Sequence, residues 1–387
     1  MRANTGGQIA PQDVIGRDQL IRSIWRALEQ QSVVLTAARR MGKTSILRKM
    51  EAAPQMKYLP VYHDLENLRS PIEFAQSVYQ DVEKFLTAKN RTKKRAYDFI
   101  VQVSGTQIDK IKLPTIMAPH WKTLLEKTIE DLTEHREGGV LFFWDEMPMM
   151  LENIRQDHGE KATMEVLDTL RAMRQTYPSL RMVYTGSIGL HHVISSLKRS
   201  GYANSPTNDM KIMEVHPLAE TDAQQLASLL LSGENLTTVD VQVTAREIAQ
   251  SVDNVAFYIH HVVDRLADRQ VKIDSTTVQE VVTALLMDAQ DPWDMRHYRK
   301  RIDTYYLPDE QNIALCLLDL CAGAEQPLAQ ADVLNRLSSQ IENMEAEKAR
   351  TVLDSLLRDH YLTRQTDETY KFYLPLICRW WRIERGL

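Results

Sequence analysis

Residues 33–45 constrain the fold of this chain more strongly than any other segment. They read VVLTAARRMGKTS, which is an apolar run, a turn with two arginines and a glycine, and a helix start. Residues 37–44 fit the phosphate-binding spacing G-x-x-x-x-G-K followed by Ser or Thr, except that Ala37 replaces the first glycine. The segment therefore predicts a buried strand, a P-loop and a helix.

The residue types of this loop suit a polyphosphate ligand. Gly42 lets the backbone approach a phosphate without a Cβ between them, and the N–H groups at a helix start attract anions. Lys43 can reach the β- and γ-phosphates, and the Thr44 hydroxyl can ligate Mg²⁺, which prefers oxygen ligands. We therefore predict ATP and Mg²⁺ as cofactors and the following residues as the cradle: Ala37, Arg40, Met41, Gly42, Lys43, Thr44 and Ser45.

A second motif separates this interpretation from a chance Gly-Lys-Thr at a helix start. Five apolar residues, 140–144, are followed directly by Asp145 and Glu146. Such a run indicates a central parallel strand buried on both faces, and ligands bind at the carboxyl ends of such strands. We expect Asp145 to hold Mg²⁺, directly or through water, and Glu146 to orient and deprotonate the attacking water. The alternative is a strand that merely ends in a polar turn.

A further strand is predicted over residues 180–187. It places Thr185 and Ser187 at its carboxyl end, where their hydroxyls can contact the γ-phosphate or the attacking water. We assign the γ-phosphate contact to Ser187, which gives three predicted catalytic residues: Lys43, Glu146 and Ser187.

Composition narrows the class of protein. The chain has 387 residues, of which 43% are hydrophobic and 26% charged, and this predicts two or three domains with apolar cores. A net charge of −5 excludes a wholly basic nucleic-acid coat, although not a local basic patch. Three cysteines without metal-ligand spacing, and no apolar run of membrane-spanning length, lead us to expect a cytoplasmic protein with reduced thiols and no membrane partner.

Three segments of the first half of the chain are less specific. Residues 1–12 are mostly small and polar, which indicates a loose arm. Residues 89–95 contain five basic side chains, which indicate either a solvated loop or a contact with phosphates or a partner. Apolar residues surround Ser104 and Gly105, and this favours a small hairpin over residues 101–113.

The last part of the chain is mostly helical in pattern. Residues 220–286 read as a small helical domain, and a linker begins at Pro292 and Trp293. Three helical patterns then precede a hairpin near residues 361–373. Three helices followed by a hairpin are the outline of a winged helix.

These motifs together resemble the prokaryotic P-loop ATPases of the archaeal-ATPase group, on the border of the AAA+ and STAND classes. An Arg-Arg-x-Gly-Lys-Thr loop is particularly distinctive of that family. The resemblance is carried by Ile15-Gly16-Arg17, Arg39-Arg40-Met41-Gly42-Lys43-Thr44-Ser45, Phe143-Trp144-Asp145-Glu146, Tyr184-Thr185-Gly186-Ser187 and Val215-His216-Pro217-Leu218.

The resemblance implies an α/β fold with a mostly parallel sheet in the order 5-1-4-3-2. It implies an ATPase core over residues 1–219, a helical lid and linker over 220–300, and a winged helix over 301–387. It also implies that Ile15, Gly16 and Arg17 contact the adenine. Two departures from the family pattern are Ala37 and the lid sequence from Asp253 to Tyr258, which lacks the usual glycine and proline.

An arginine completes the site in such ATPases and is often supplied by a neighbouring subunit, which implies a homo-oligomer. The candidates in this chain are Arg171, Arg174, Lys198 and Arg199. We expect Arg39 and Arg40 to contact the lid or a partner instead, because the loop directs their side chains outward while its backbone surrounds the phosphates.

The predicted reaction is ATP hydrolysis, and three uses of it remain open. One is a switch or assembly factor for a protein effector, a second is a DNA-engaging loader or motor, and a third is a sensor that does not hydrolyse ATP. Residues 306–387 hold nine lysines and arginines against thirteen aspartates and glutamates. A helix that reads a DNA groove should be basic, so we prefer the protein partner. Glu146 makes the sensor less favoured.

Overall fold

A computed structural model describes residues 1–55, 57–85, 95–104, 115–133, 138–186, 189–269 and 272–387. Ser187 and most of the basic run at 89–95 lie outside these residues. The chain divides into two compact units. The sheet unit comprises Ala10–Thr36 and Lys43–Val215, and the helical unit comprises Met1–Ile9, Ala37–Gly42 and His216–Leu387.

The sheet unit contains one parallel sheet of five strands. Neighbouring strands are hydrogen-bonded in the order β2-β3-β4-β1-β5, and all four pairs are parallel. The predicted order 5-1-4-3-2 is therefore confirmed. The strands are β1 (Val33–Thr36), β2 (Leu59–Asp64), β3 (Val140–Asp145), β4 (Leu180–Tyr184) and β5 (Lys211–Glu214).

Strand β3 is the centre of this sheet in burial as well as in the pattern of its sequence. All six of its residues are buried. Phe142 and Trp144 point into an aromatic cluster on one face, where the Trp144 ring lies 5.1 Å from Phe142 and 5.1 Å from Phe74. Alternation then turns Phe143 and Asp145 to the other face. The carboxylate at the end of β3 thus emerges from an apolar strand.

Helices cover the sheet. The sheet unit holds α1 (Asp18–Leu28), α2 (Lys43–Ala52), α3 (Pro71–Glu83), α4 (Arg95–Ser104), α5 (Trp121–Thr133), α6 (Met147–Thr176) and α7 (Leu190–Arg199), with short 3-10 turns at Pro11–Asp13 and Thr115–His120. Helix α3 starts as its sequence predicts, because the Ser70 hydroxyl accepts a hydrogen bond from the Glu73 N–H (3.2 Å) and Pro71 occupies the first turn. Helix α6 begins directly after Glu146 and is broken at Gly159, which has φ +82°.

Helix α4 corrects the hairpin predicted over residues 101–113. The described part of that segment is the end of a helix, and residues 105–114 lie outside the described residues. Ala96 and Ile100 are buried at helical spacing. The Asp131 carboxylate accepts hydrogen bonds from the N–H groups of Arg95 (3.1 Å) and Ala96 (3.0 Å). The free N–H groups at the start of α4 are therefore satisfied by a residue distant in sequence, which a local sequence pattern does not reveal.

From residue 216 onward, the helical unit begins with four helices and a connecting helix that packs in its core. Trp293 and Tyr298 are each 1% exposed, so the segment predicted as a linker is part of the apolar interior. The helices are α8 (Glu220–Gly233), α9 (Val241–Ser251), α10 (Ala256–Ala267), α11 (Ser275–Met287) and α12 (Arg296–Tyr305).

The N-terminal segment also belongs to this unit and is held by hydrogen bonds. The N–H of Ala3 donates to Glu234 (2.8 Å), and the N–H of Asn4 donates to the His260 ring (3.1 Å). The Thr5 carbonyl contacts the His261 ring at 3.0 Å. The loose arm predicted from composition is therefore wrong for these residues, because backbone groups rather than side chains make the contacts.

The C-terminal region of the helical unit contains the three predicted helices and the predicted hairpin. These are α13 (Pro308–Gly323), α14 (Gln330–Gln340), α15 (Ala346–Arg358), β7 (Leu362–Arg364) and β8 (Thr369–Phe372), with a short strand β6 (Leu328–Ala329) that completes an antiparallel sheet in the order β6-β8-β7. Its assignment as a winged helix, and the domain boundaries at 219 and 300, stay predictions.

A last helix, α16 (Pro375–Arg385), was not predicted. Its Trp381 indole donates to Asp319 (2.8 Å), and its Arg382 guanidinium donates to the Ala324 carbonyl (3.2 Å) near the end of α13. A cation at the carboxyl end of a helix is favourable. Among the described residues, no helix is both long enough and apolar enough to span a membrane.

Candidate nucleotide-binding site

The loop between β1 and α2 has the backbone that its sequence predicts. Arg40 and Gly42 both have positive φ, +68° and +83°. A Cβ built at Gly42 would meet no atom within 4 Å, so it is the backbone angle, and not a steric clash, that favours glycine there. Lys43 is the first residue of α2 and is 9% exposed. The other cradle residues surround this turn: Met41 is buried, Ala37 and Ser45 are half-buried, and Arg40 and Thr44 are exposed.

The Asp145 carboxylate accepts hydrogen bonds from several groups of the sheet unit. Its Oδ2 accepts hydrogen bonds from the Thr44 hydroxyl (2.5 Å) and the Tyr62 hydroxyl (3.1 Å). Its Oδ1 accepts hydrogen bonds from the Thr185 hydroxyl and from the Glu146 N–H (3.2 Å). The aspartate is 3% exposed, and four donors compensate for the burial of its charge.

This arrangement fits a hard divalent cation. The Thr44 hydroxyl proton is directed at Asp145, which leaves the lone pairs of the Thr44 oxygen for a metal. Hydroxyl and carboxylate oxygens are the donor set that Mg²⁺ prefers. The structure therefore brings together the two residues that the sequence predicts as metal ligands, Thr44 and Asp145.

Glu146 follows in a left-handed conformation, with φ 54° and ψ 30°. This conformation costs a residue with a Cβ about 1–2 kcal/mol, and such strain clusters at functional positions. Because of this conformation, the side chains of Asp145 and Glu146 point in different directions: Asp145 still belongs to β3, whereas Glu146 immediately precedes α6. Its predicted role as the base stays a prediction.

Two hydroxyl contacts differ from the sequence-based assignment. Thr185 was assigned, with Ser187, to the γ-phosphate or the attacking water, yet its hydroxyl donates to Asp145. Tyr62 was not predicted as a site residue at all. The signal that could have found it is the polar end of β2, where Tyr62, His63 and Asp64 follow an apolar start and run parallel to β3.

The predicted adenine-contacting turn is fixed to the P-loop helix. Gly16 has φ +71°, Arg17 is 6% exposed and Ile15 is half-buried. The Lys49 ammonium on α2 donates to the Val14 carbonyl (2.8 Å) and pairs with Asp18 (2.8 Å). The turn and α2 thus form one rigid piece, while contact with a base stays a prediction.

Comparison with known proteins supports the fold. No protein-family model matches the chain, and no curated protein sequence matches it. Among solved structures, the Walker-type ATPase PABY2304 of Pyrococcus abyssi is similar with a TM-score of 0.66 at 15% identity, covering 98% of this chain and 99% of that one. The ORC2 protein of Aeropyrum pernix, in ADPNP-ADP complexes, is similar with a TM-score of 0.55 at 12% identity, covering 99% and 98%. The fold is that of a P-loop ATPase.

Within the helical unit, the two loop arginines of this fold contact residues of the predicted lid and linker. The Arg39 guanidinium forms an ion pair with Asp294, and Arg40 lies 3.7 Å from the same carboxylate. The Arg40 guanidinium also lies 4.4 Å from the centre of the Phe257 ring, a cation–π contact. Of the two contacts expected for Arg39 and Arg40, with the lid or with a partner, the structure shows contacts with Phe257 and Asp294 of the predicted lid and linker, and the assignment of this segment as a lid stays a prediction.

The same cluster perturbs a histidine. Burial, followed by the charge of Arg39, lowers the pKa of His297 to about 4. Burial also lowers the pKa of His261, whose ring centre lies 4.3 Å from that of Phe257. These shifts keep both imidazoles neutral beside the two arginines at neutral pH.

The candidate arginines of α6 differ in their surroundings. The Arg174 side chain is 4% exposed and forms a two-point ion pair with Asp209 (2.8 and 2.9 Å). It also donates to the Tyr184 hydroxyl (2.8 Å) and to the Pro206 carbonyl (2.6 Å). These contacts within one chain argue against Arg174 as an arginine offered to a neighbouring subunit. Arg171, Lys198 and Arg199 stay candidates.

Proposed function

We propose that this protein binds and hydrolyses ATP with the help of Mg²⁺. The observation that supports this most directly is the 2.5 Å hydrogen bond between the Thr44 hydroxyl of the P-loop helix and Asp145 at the end of β3. It joins the two motifs that were predicted independently from the sequence. The ADPNP-ADP complexes of the similar ORC2 protein are consistent with a nucleotide ligand.

In this proposal, the loop N–H groups and Lys43 surround the phosphates, and Ile15, Gly16 and Arg17 line the base. Mg²⁺ supplies charge neutralisation between the β- and γ-phosphates when bound. Thr44 would hold the ion through its hydroxyl oxygen, and Asp145 would hold it through its carboxylate, directly or through water.

Glu146 then orients the attacking water and accepts its proton. Ser187 contacts the γ-phosphate in this scheme.

We further propose that hydrolysis controls assembly with a protein partner or with further copies of this chain, as in AAA+ and STAND ATPases, in the cytoplasm. The division into core (1–219), lid (220–300) and winged helix (301–387) is part of this proposal. The C-terminal region is acidic overall, and several of its cations are already engaged within the chain. The engaged pairs are Lys348–Asp309, Arg350–Glu347, Arg364–Glu368 and Arg385–Asp319.

Calorimetric titration with ATP and Mg²⁺ tests the proposal directly. We expect wild type to bind, Lys43→Ala to lose binding because the loop loses its cation at the phosphates, and Glu146→Gln to bind but turn over at least about 100-fold more slowly. Glu146→Gln should also retain any ATP-dependent assembly in sedimentation.

Absence of ATP binding by wild type at millimolar nucleotide would contradict the proposal. If wild type with ATP binds duplex DNA at low salt, the proposed protein partner would be replaced by DNA, and the chain would be a DNA-engaging ATPase. Equal turnover by wild type and Glu146→Gln would remove Glu146 as the base.

A further inference from the structure

Tyr62 occupies a position at the metal-ligand end of the sheet that the proposed reaction does not yet use. It lies on β2, next to β3, and is half-buried. Its hydroxyl donates to the same oxygen of Asp145 that accepts from Thr44, at 3.1 Å against 2.5 Å. Tyr62, which belongs to neither sequence motif, therefore helps to orient the Asp145 carboxylate toward Thr44.

The Tyr62 ring is itself fixed by the P-loop helix. The Arg48 guanidinium lies 3.4 Å from the ring centre, and Arg48 pairs with Glu51 at 2.9 Å. Arg48 is one helical turn after Thr44 on α2, so both side chains project from the same face of that helix. The tyrosine therefore lies between a cation over its ring and a carboxylate at its hydroxyl.

The direction of this hydrogen bond follows from the chemistry of the two groups. The phenol carries a proton and a carboxylate only accepts, so Tyr62 is the donor and Asp145 the acceptor.

We propose that Tyr62 is a positioning residue for Mg²⁺, acting through Asp145, with Arg48 holding its ring. This inference rests on the proposed ATPase function. With Tyr62 in place, Oδ2 is held toward Thr44, the Thr44 proton stays on the carboxylate side, and the Thr44 oxygen faces the metal. Without the Tyr62 hydroxyl, the carboxylate can rotate and compete for the metal in other geometries, as happens when groups behind metal ligands are removed.

The test is Tyr62→Phe, which keeps the ring and its contact with Arg48 but removes the donor. Nucleotide binding is measured by calorimetry over a series of Mg²⁺ concentrations and again with chelator. We expect the Mg²⁺ concentration for half-maximal enhancement of ATP binding to rise about tenfold, the size expected for a hydrogen bond to a charged group. Affinity for ATP in chelator should change less than about twofold, because the Tyr62 hydroxyl donates to Asp145, which is not one of the predicted phosphate-binding residues.

Two further variants separate positioning from a structural role. Tyr58→Phe removes a hydroxyl that donates to the Leu28 carbonyl at the same distance, 3.1 Å, and should leave the Mg²⁺ dependence unchanged. Arg48→Met removes the cation over the ring and should raise the Mg²⁺ requirement about twofold to fivefold, since the hydroxyl remains.

The inference is overturned if Tyr62→Phe binds ATP with the Mg²⁺ dependence of wild type, whatever its thermal stability. It is also overturned, together with the proposed function, if wild type binds no ATP in the presence of Mg²⁺. The two failures are distinguishable because only the first leaves Mg²⁺-dependent binding by wild type intact.

Discussion

The two halves of the P-loop are consecutive in sequence but are fixed by different kinds of contact. In residues 37–42, Arg39 and Arg40 are held by an ion pair and a cation–π contact whose side chains are partly exposed. From Lys43 onward, Thr44 donates to a buried carboxylate that also accepts from three other neutral donors. Exposed charges are screened by salt, whereas a buried carboxylate with four donors is not. The first half should respond to salt and pH, and the second to metal.

The largest effect on turnover should come from removing the carboxylate that holds the second half of the loop. Asp145→Ala removes the acceptor shared by Thr44, Tyr62 and Thr185, so the metal ligands lose their orientation. We expect Mg²⁺-dependent turnover to fall by about 100-fold to 1,000-fold. Steady-state ATPase assays measure this, with Asp64→Ala as the control, because Asp64 is an exposed carboxylate at the end of the neighbouring strand. Turnover within threefold of wild type would place the metal elsewhere.

A smaller effect, on the free energy of unfolding, should appear when pH is lowered. It concerns His297, which lies beside the arginines of the first half of the loop. The pKa of His297 is lowered to about 4 from 6.5, so the folded state favours the neutral ring. Its stabilising contribution is present above pH 6.5 and is lost as pH falls from about 6.5 to 4. After allowance for partial exposure, the loss should be about 1–2 kcal/mol in the free energy of unfolding.

Denaturant unfolding of wild type and His297→Gln between pH 4 and 7 checks this. The variant should lose part of the pH dependence, and the matched change at an exposed histidine, His158→Gln, should not. Identical pH profiles for wild type and His297→Gln would show that neither burial nor the arginines lower the pKa of His297 in the folded protein.

The smallest effect concerns the ion pair itself. Side chains of Arg39 and Asp294 are 23% and 39% exposed. A double-mutant cycle with Arg39→Ala and Asp294→Ala should give a coupling energy of about 0.5–1 kcal/mol at low salt. It should shrink at 0.5 M salt, where charges are screened within a few ångströms. A coupling that does not change with salt would mean that packing, rather than charge, joins the two residues.

Apolar runs and the residues that follow them predicted strands β1 and β3, whereas the order of the sheet was implied by the resemblance to P-loop ATPases and is confirmed. The sequence also predicted that Thr44 and Asp145 belong to one site. It did not reveal Tyr62, which is defined only by the parallel register of β2 with β3. The start of α4 depends on Asp131, which is far along the chain. Pairings between distant residues are outside the reach of local periodicity.

The predictions of a loose arm over residues 1–12 and of a linker beginning at Pro292 and Trp293 missed the observed contacts for a related reason. Composition suggested an arm and a linker, but Ala3 and Asn4 are held through their backbone N–H groups, and the Trp293 ring is buried with its centre 5.1 Å from that of Tyr258 on α10. A polar or proline-containing segment is not disordered by composition alone. It is ordered where the rest of the protein provides hydrogen-bond acceptors for its N–H groups and apolar surface for its side chains.

The connection between α12 and the end of α15 determines how the C-terminal region can be produced by itself. Arg301 and Asp359, with side chains 4% and 0% exposed, form an ion pair at 2.8 Å, and Tyr306 donates to the same aspartate at 2.7 Å. The Tyr361 hydroxyl donates to the Tyr298 carbonyl at 2.5 Å. A fragment that starts at residue 306 would leave Asp359 without its cation, a change that costs about 3–5 kcal/mol for a buried pair. Recombinant fragments should therefore start no later than Arg296, so that the whole of α12 is retained.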